Sequence, residues 1–560
     1  MRSLRAWIVL FGCVALLAAW APARGGAEPV PRRSAAATEQ LVTDPVPLLE
    51  FRTAGDVGWF WTLSTAEAAA AERLGMTRRA TKLGSLRRQP FEGSQPLYRL
   101  RLKARSAYLL TASTSERDTL VRSGDWELEG TMGHLWAEPG PGLTALWRMS
   151  NGREWRLVPD AQRDDFTDRG YRTDGRLGYV RERHRRVGAI YFATWDAAGN
   201  QALLDNVERV YGRRDPWGGL RDFAGVGVER NAWHWADEDW SHLEPSIGYY
   251  DDADPAVLEQ QVEQAAGAGL DHFAFYWYWN PADGGAEQYV AGLRSYLQAA
   301  NREKLDFTIM PCLHPWSDGP VSLRLPAEQI DRAAQVIVDE YLTQPNFLRA
   351  NDGRKLLTVC DTRGIGDGST TENDLEAVRQ FTDAVRTKAR EQLGEEIMIT
   401  HNADIGIDTA AAGFEGRQCQ GQWDPSRSYQ HYVEHQRDFF ADRPGVLVRC
   451  VTANFDERPR IAILIPDPDP PTQENLEQAF RWYDDHSMAR FETLLSHVDT
   501  DIEESTRPEL VDNFVLVYAW NEWHEGGYIE PNRRDGCAYL DAIRSAFRLT
   551  DGSGCVVRQK

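Results

Sequence analysis

The sequence predicts an α/β protein in which a (β/α)8 TIM barrel, residues 226–560, follows a smaller all-β domain of three repeats, residues 45–182. Glycines recur at spacings of about 49 and about 46 residues in the first part, which marks an internal repeat. In the second part, apolar runs of strand length alternate with helix-like stretches. Most of these runs end in an aromatic, acidic or imidazole side chain, as the strands of a catalytic barrel do.

Length and composition set the broad class. A chain of 560 residues is too long for one ordinary domain, and its 42% hydrophobic and 26% charged residues are typical of a folded soluble protein. The net charge of -21 argues against a nucleic acid partner and against anionic membrane surfaces. The 20 tryptophans are a surplus, and carbohydrate binding is one common use of such a surplus.

The N-terminus has the pattern of a targeting segment. Arg2 and Arg5 precede an apolar run, residues 6–20, and an A-x-A cleavage site follows at residues 21–23. We therefore expect a signal peptide at residues 1–27 and export to the periplasm, the cell surface or the medium. A lipoprotein site at Cys13 and an uncleaved anchor are the alternatives. No later run reaches the ~20 apolar residues that a membrane-spanning helix needs, so no transmembrane segment is expected after signal removal.

Six cysteines follow Cys13 in the sequence, and an even number permits disulfides in an exported chain. We expect Cys537 to pair with Cys555 and so to hold the C-terminal tail. Cys312, Cys360 and Cys450 lie in or beside apolar runs, where buried free thiols are the expectation. The sequence has no CxxC motif or Cys/His cluster with zinc spacing, so neither a metal nor another cofactor is expected.

Three similar units make up residues 45–182. Each continues from an apolar pair to an aromatic strand and a short helix-like piece, and each carries two glycines: Gly75 and Gly84, Gly124 and Gly133, Gly170 and Gly178. Three units of short strands indicate a closed pseudo-threefold structure such as a β-trefoil. A carbohydrate-binding module and a spacer or stabilising cap are equally favoured. Residues 183–225, rich in Arg, Gly and Asp, are expected to form a linker with one strand.

The barrel prediction assigns eight apolar runs to its strands: residues 246–250, 271–278, 307–312, 356–360, 397–400, 419–423, 446–451 and 514–519. Helix-like stretches lie between most of them, for example residues 255–268, 325–341, 375–393 and 473–498. An open doubly wound sheet is the alternative. That fold often carries a Gly-rich phosphate loop after its first strand, and the lack of this motif in the sequence disfavours it.

The candidate active site lies in the loops after the strands, because the catalytic groups of a TIM barrel come from the C-terminal ends of its strands. Glu522 and Glu525 follow the eighth run, among two tryptophans and a histidine. Two such carboxyl groups can act as acid and as base or nucleophile in the cleavage of a glycosidic bond, while flat rings hold the sugar. They are the predicted catalytic pair. The predicted substrate-binding residues lie at the same strand ends: Tyr249, Tyr250, Trp277, Trp279, His314, Trp316, His401, Asn402, Trp423, Asp456, Arg460, Trp520, Asn521 and Trp523.

Several motifs carry a family resemblance: Gly248-Tyr249-Tyr250-Asp251, Pro345-Asn346-Phe347, Asp456 followed by Arg458-Pro459-Arg460, and Asn521-Glu522-Trp523-His524-Glu525-Gly526 with Ile529-Glu530-Pro531. With them, residues 226–550 resemble the WbsX-like, glycoside hydrolase family 99-like proteins. The chain departs from family 99 at Gly527, where threonine is typical, and at Arg354-Lys355, where a lysine–proline pair is usual. Residues 96–130 resemble a repeat domain of unknown function that is often attached to secreted enzymes.

The resemblance implies a retaining, endo-acting glycosidase for α-linked mannose-type sugars. In family 99 one carboxylate takes the proton of the sugar's own 2-hydroxyl group, which attacks C1. The other protonates the leaving oxygen and then activates water. Carried over by position, Glu522 would be the base toward the 2-hydroxyl group and Glu525 the acid/base. The expected partner is an oligosaccharide or polysaccharide.

Two alternatives to a glycosidase remain. WbsX-like proteins have been labelled as glycosyltransferases of surface-polysaccharide synthesis, and residues 237–239 match a DxD pattern that could hold a metal diphosphate. Export argues against this alternative, because nucleotide sugars are cytosolic. A non-catalytic surface lectin is the other, although a lectin has no need for both glutamates.

Overall fold

The computed structural model describes residues 46–555 apart from 57, 80–82, 141–142, 182–184, 213, 225–238, 316, 319–320, 421–423, 461–480, 506, 509 and 550–552. The expected signal peptide, residues 1–27, lies outside this part of the chain. In the part that is described, no helix is long and apolar enough to cross a membrane.

Residues 46–181 form a mainly β domain in which a strand–strand–helix–strand unit occurs three times. The first unit contains β1 (Val46–Pro47), β2 (Leu49–Arg52), β3 (Trp59–Thr62), α1 (Thr65–Arg73), β4 (Thr77–Arg78) and β5 (Ser85–Leu86). The second contains β6 (Ser94–Leu102), β7 (Tyr108–Thr111), α2 (Thr114–Arg122) and β8 (Trp126–Trp136). The third contains β9 (Leu143–Ser150), β10 (Trp155–Pro159), α3 (Arg163–Asp168) and β11 (Arg172–Arg181). The pairings are antiparallel, in the order β1-β5-β11-β8-β6-β7. β9 pairs with β11 and β10 pairs with β9, and β2, β3 and β4 form a separate sheet.

An arginine of the second and of the third repeat binds the glutamate in the first helical turn of the repeat before it. Arg99 donates to both carboxylate oxygens of Glu67 at 3.0 Å, and this hydrogen bonding lowers the pKa of Glu67. Arg148 donates to both oxygens of Glu116 at 3.0 and 2.7 Å. The two junctions are therefore built alike, as an internal repeat requires.

The third junction joins the third repeat to the first. Arg156 donates to Glu50 at 3.1 Å, and both side chains are largely buried. Leucines at equivalent positions of the three repeats, Leu48, Leu97 and Leu146, meet in one buried cluster. The repeats are thus linked in a closed order, while the β-trefoil interpretation stays a prediction.

Replacing Arg99 by alanine is expected to destabilise this domain by about 2 kcal/mol or more. Arg99 is buried and binds Glu67 and Glu129, so its removal takes the bidentate cation from Glu67 and leaves Glu129 with only the longer contact to Arg101. Denaturant unfolding followed by tryptophan fluorescence would measure the change. Arg101 lies on the same strand but is exposed, and its replacement should leave the transition in place. Equal effects of the two substitutions would contradict the prediction.

The remaining strands are β12 (Arg186–Tyr191), β13 (His272–Asn280), β14 (Ala286–Gln288), β15 (Asp306–Pro311), β16 (Ser317–Asp318), β17 (Val321–Ser322), β18 (Lys355–Val359), β19 (Ile397–Asn402), β20 (Gly416–Gln418), β21 (Leu447–Thr452), β22 (Phe514–Tyr518), β23 (Asn521–Glu522) and β24 (Gly527–Tyr528). Eight of them pair in parallel and in chain order. β22 and β13 flank β12, β15 pairs with β13, and β18 to β22 pair in succession. Parallel bridges Phe307–Phe347 and Cys312–Asp361 join β15 to the β18 region, so the pairings run around a ring.

Helices connect most of these strands: α4 (Gln201–Tyr211), α5 (Gly218–Ala224), α6 (Pro255–Gly267), α7 (Ala291–Gln298), α8 (Ile330–Val336, continued by a π-turn Ile337–Leu342), α9 (Leu375–Leu393), α10 (Tyr429–Ala441), α11 (Met488–Glu504) and α12 (Ala538–Ala546). Their ends follow local sequence signals. Asp374 caps α9 through the N–H of Ala377, and Gly394 ends it with a φ of 68°. The mixed α/β architecture that the sequence predicts is therefore confirmed.

The first parallel strand is not the predicted one. β12 lies at residues 186–191, within the segment that the sequence assigned to a linker, and it pairs on both sides. The predicted first strand, residues 246–250, is irregular instead, and Ser246 donates to the carbonyl oxygen of Pro531 at 2.7 Å. Its apolar residues cover the end of the Glu522 signature. The sixth strand also differs, since β20 lies at residues 416–418, before the predicted run.

Three disulfides replace the single pair that the sequence predicts. Cys537–Cys555 is confirmed, but Cys312 pairs with Cys360 and Cys419 with Cys450. The free-thiol prediction was wrong because these cysteines lie in or directly after strands that are neighbours in space. Cys312 and Cys360 directly follow β15 and β18, and among the described residues these two strands are joined by isolated bridges and not by a continuous ladder.

Candidate active site

The predicted catalytic pair lies on a short hairpin after β22. β23 pairs with β24 in antiparallel fashion, with Glu522 opposite Gly527, and Glu525 lies in the turn between them. Gly526 closes this turn with a φ of 64°, and a Cβ atom there would lie 2.7 Å from the Cβ of Asp456. The turn therefore requires glycine, both for its left-handed backbone and for the close approach of the Asp456 segment.

Asn521 holds the hairpin against the first barrel strand. Its side-chain oxygen accepts the N–H of Phe192 at 2.8 Å, and its side-chain nitrogen donates to the Phe192 carbonyl oxygen at 3.0 Å. Asn521 is fully buried. The structure therefore places this predicted substrate-binding residue in a backbone clamp rather than in contact with the cleft.

A buried carboxyl group anchors the other end of the signature. Glu530 accepts hydrogen bonds from Tyr250 at 2.9 Å, Gln261 at 2.8 Å and Trp523 at 3.1 Å. Burial raises the pKa of Glu530 to about 7, against the lowering effect of these donors. Tyr250 and Trp523, predicted to bind substrate, are thus engaged inside the protein, and Trp523 also stacks on Tyr528.

Two donors converge on Glu525. Arg460 donates to one carboxylate oxygen at 2.5 Å, and the Tyr518 hydroxyl group donates to the other. The main chain is fixed as well, since the N–H of Asp456 donates to the Glu525 carbonyl oxygen at 2.5 Å. Arg460 is buried, and its carboxylate neighbours raise its pKa although burial opposes this. Glu525 is therefore held by a buried cation on one oxygen and by a hydroxyl group on the other.

Glu522 has the opposite surroundings. Its side chain is buried, with 7% of the residue exposed, and no hydrogen bond reaches its carboxyl group from the described part of the chain. Burial raises the pKa of Glu522 well above its usual value, the charge of Glu525 adds to this, and Arg460 opposes it. Burial therefore favours the protonated form of Glu522.

A second polar group lies at the ends of β15 and β18. His314 and Asp361 are joined at 2.9 Å, and Arg363 also binds Asp361. Burial would raise the pKa of Asp361, but the hydrogen bonds from His314 and Arg363 outweigh it and hold the pKa at about 2. The Tyr278 ring lies 6.0 Å from that of His314.

In strand β13, the predicted substrate-binding residues Trp277 and Trp279 lie on the opposite face from the one that the prediction requires. Trp277 donates to Glu287 and Trp279 to Gln329, each at 2.7 Å, and both rings are fully buried. Tyr276 and Tyr278 point to the other face, because side chains alternate along a strand. The Tyr276 hydroxyl group accepts from Gln420, which follows β20 across the ring. The tyrosines, rather than the predicted tryptophans, face the barrel interior.

The other predicted binding residues have structural partners. His401 bonds to the Asn402 carbonyl oxygen at 2.8 Å and to Thr409 at 3.0 Å, and burial lowers its pKa to about 4, so it is neutral. Asn402 donates to Gln420 at 3.2 Å. Trp520 is fully buried and packs on Phe273. The ring of Tyr249 lies under the guanidinium group of Arg221. Trp316 and Trp423, also predicted to bind substrate, lie outside the described residues.

Asp456 forms a bidentate ion pair with Arg458, at 2.9 and 2.7 Å. Tyr518, Glu457 and Gln420 belong to this region but are not among the residues that the sequence predicted for it, whereas Tyr276 and Asp361 lie at strand ends that the sequence did indicate. Two signals were available: Tyr518 is the last residue of the strand before the signature, and Glu457 lies inside the Asp456–Arg460 motif. Gln420 had none, since only the fold brings it to Tyr276.

Replacing Asn521 by alanine is expected to lower the free energy of unfolding by about 2–3 kcal/mol, because the N–H and carbonyl groups of Phe192 lose their buried partners. If Asn521 only holds the hairpin, catalytic turnover should fall with little change in KM for a glycan. Thermal unfolding and steady-state kinetics on the same preparation would separate the two effects. A higher KM at unchanged stability would instead place Asn521 in substrate binding.

Two family models match the chain. Residues 348–543 match the model "Glycosyltransferase WbsX", and residues 47–181 match a domain of unknown function, DUF5648. The uncharacterized protein WxcX of Xanthomonas campestris pv. campestris is 25% identical over 393 residues, which is 61% of this chain and 50% of the relative. The chain thus spans about half the length of the curated relatives that it matches.

Solved structures with similar folds were also found. A GH99 endo-alpha-mannosidase from Bacteroides thetaiotaomicron has 15% identity and a TM-score of 0.40, covering 65% of this chain and 97% of its own. A chain described as a glycoside hydrolase-like protein has 11% identity and a TM-score of 0.41, covering 65% and 94%. The segment from 348 to 543, which holds both candidate glutamates, is therefore WbsX-like, as the sequence motifs predicted.

Proposed function

We propose that the barrel is an endo-acting glycosidase, which cleaves an α-linked mannoside or a related polysaccharide at linkages inside the sugar chain. One observation carries this proposal: Glu522 is buried with a raised pKa, and Glu525, on the same hairpin, accepts hydrogen bonds from Arg460 and Tyr518. Acid–base cleavage of a glycosidic bond needs one carboxyl group that gives a proton and one that accepts a proton. No protein nucleophile is needed if the 2-hydroxyl group of the sugar attacks C1.

The surroundings of the two glutamates favour the opposite division of roles from the one that the resemblance implies. Glu525, as the carboxylate, accepts the proton of the 2-hydroxyl group while the oxygen of that hydroxyl group bonds to C1. Glu522 gives its proton to the leaving oxygen as the C1–oxygen bond breaks. Water then opens the 1,2-anhydro sugar, returning one proton to Glu522, and Glu525 reprotonates the 2-oxygen.

A substrate methylated at this 2-hydroxyl group tests the route. We expect no cleavage of the methylated glycan, retention of the anomeric configuration in the product of the free glycan, and normal binding of both. Proton NMR of the first product reports the anomer. Cleavage of the methylated substrate at the normal rate would exclude attack by the 2-hydroxyl group.

A sugar transfer from a nucleotide sugar is the second candidate, because the matching family model is described as a glycosyltransferase. The charges of the described site favour hydrolysis. Arg460 is bound by Glu457 and Glu525, Arg458 by Asp456, and Arg363 by Asp361, so a diphosphate would compete with carboxylates for each arginine. A purely lectin-like role would give no function to the buried Glu522, whose pKa is raised.

A panel of α-mannans and other bacterial surface polysaccharides, with and without nucleotide sugars, distinguishes these functions. We expect reducing ends to be released without a nucleotide sugar, and not by a Glu522→Gln variant. Product formation only with a nucleotide sugar would favour the transferase. Binding without any product from the whole panel would favour the lectin.

Export of the chain is part of the same proposal. The basic and apolar N-terminal segment has the pattern of a signal peptide, and three disulfides are typical of proteins that fold in an oxidising compartment. Fractionation of cells that produce the protein, with N-terminal sequencing of the mature chain, tests it. A chain found in the cytosol with residues 1–27 intact would refute export.

A further inference from the structure

We propose that Glu457 is a positioning residue that, through Arg460, sets how one proton is divided between Glu522 and Glu525. This inference rests on the proposed glycosidase function. Arg460 donates to Glu457 at 3.2 Å and to Glu525 at 2.5 Å, so one guanidinium group bridges two carboxylates. All of these side chains are largely buried.

Glu457 is fixed independently of the catalytic pair. Its second carboxylate oxygen accepts the N–H of Arg481 at 3.0 Å, and its own N–H donates to the Arg481 carbonyl oxygen at 2.9 Å. The N–H of Arg460 donates to the Glu457 carbonyl oxygen at 3.0 Å. Because the main chain and the carboxylate are both held, Glu457 determines where the Arg460 guanidinium group lies.

The charges around Arg460 do not balance. Three carboxyl groups, those of Glu457, Glu522 and Glu525, compete for one buried cation. Burial raises the pKa of Glu457 to about 7, Arg460 lowers it and Glu525 raises it further. Among the described residues, the other charged or titratable groups that face the cluster include Tyr518, His524, Arg481 and the Asp456–Arg458 ion pair. An ionised Glu457 offsets part of the positive charge of Arg460. Less of that charge then acts on Glu522 and Glu525, which favours a bound proton on this pair.

The pH dependence of kcat/KM tests this role. In a Glu457→Gln variant, Arg460 no longer shares its charge with a second carboxylate and binds Glu525 alone. The pKa values of the catalytic pair should therefore fall, and the basic limb of the kcat/KM profile should move to lower pH by about one unit. Glu457→Asp keeps the charge and should move the limb less. Glu415→Gln is the matched control, because Glu415 also binds two arginines, Arg354 and Arg386, but lies before β20, at the opposite end of the strands from the site. Its profile should coincide with that of the unchanged protein.

A lower kcat with an unmoved pH profile in Glu457→Gln would show a merely structural role and overturn the proposal. If that variant does not fold, Arg460→Lys tests the same bridge. Lysine keeps the charge but lacks the planar fork that binds two carboxylates, so the basic limb should move to higher pH. An unmoved limb in Arg460→Lys would equally overturn the proposal.

Thermal unfolding gives a readout that does not need activity. The folded-state pKa of Glu457 is raised, so its stabilising contribution is complete below pH 4.5, the unfolded value, and is lost as pH rises to about 7. The Tm of Glu457→Gln relative to the unchanged protein should therefore increase between pH 4.5 and 8. If no glycan is cleaved at any pH, the glycosidase function fails. The Tm difference between Glu457→Gln and the unchanged protein then still tests whether Glu457 gains and loses its proton in this pH range. A Tm difference that does not change with pH would contradict this.

Discussion

Replacing Glu522 or Glu525 by glutamine is expected to lower kcat on a natural glycan by about 10²–10⁴-fold, the contribution typical of a positioned acid or base. Binding of the glycan should persist, because the amide keeps the size of the side chain. Steady-state kinetics with isothermal titration of the same glycan would measure both. Glu492→Gln, on an exposed position of α11, is the control and should leave kcat unchanged. Unchanged turnover in both catalytic variants would refute the site.

The same variants decide which glutamate is the acid. A dinitrophenyl glycoside has a leaving group that needs no proton, so the variant that lacks the acid should recover on it while the variant that lacks the base should not. The raised pKa of Glu522 and the contacts of Glu525 predict recovery in Glu522→Gln. Recovery in Glu525→Gln would restore the roles that the family resemblance implies.

Loss of the Cys312–Cys360 disulfide is expected to destabilise the barrel by about 4 kcal/mol, from the chain entropy of a loop with a sequence separation of 48. β15 and β18 are joined by isolated bridges rather than by a ladder, so this disulfide secures the least paired junction of the ring. Thermal unfolding of a Cys312→Ser, Cys360→Ser double variant measures the effect. Activity should fall too, because Asp361 and His314 lie beside the disulfide.

The Cys537–Cys555 disulfide provides the comparison. It closes a shorter separation of 18 residues and holds only the C-terminal tail, so its removal should lower Tm less and leave the site intact. If both double variants unfold at the same temperature, the barrel junction does not depend on its disulfide. A reducing agent should lower the Tm of the unchanged protein further than either double variant, because it also breaks Cys419–Cys450.

The signature residues could be predicted from sequence, but the orientation of aromatic side chains could not. The run from Phe275 to Trp279 is apolar at every position, so periodicity contains no information about which face is inside. Only the contacts of Trp277 with Glu287 and of Tyr276 with Gln420 decide it. The same limit applies to the cysteines, since pairing depends on which strands are neighbours in space.

The first barrel strand shows how a correct local pattern can be assigned to the wrong element. The sequence indicates a strand near Val187, but the surrounding Arg, Gly and Asp residues led to its assignment to a linker. Residues 246–250 have the apolar and aromatic content of a strand because they pack over the signature hairpin, with Pro245 bridged to Asn532. A segment that is buried by tertiary contacts can thus have the same apolar and aromatic composition as a β-strand.

The pairing of β12 with β22 has a consequence for how the chain folds. Val187 lies opposite Val515, more than half the chain away, so the ring cannot close until nearly all of the protein has been made. Contacts at such separation slow folding, and until then β12 and β13 leave an open edge. The repeat domain, whose junctions all lie within residues 46–181, can form first. Removal of the residues after Tyr518 would spare that domain, whereas a chain that begins at residue 226 would lack a central strand of the barrel.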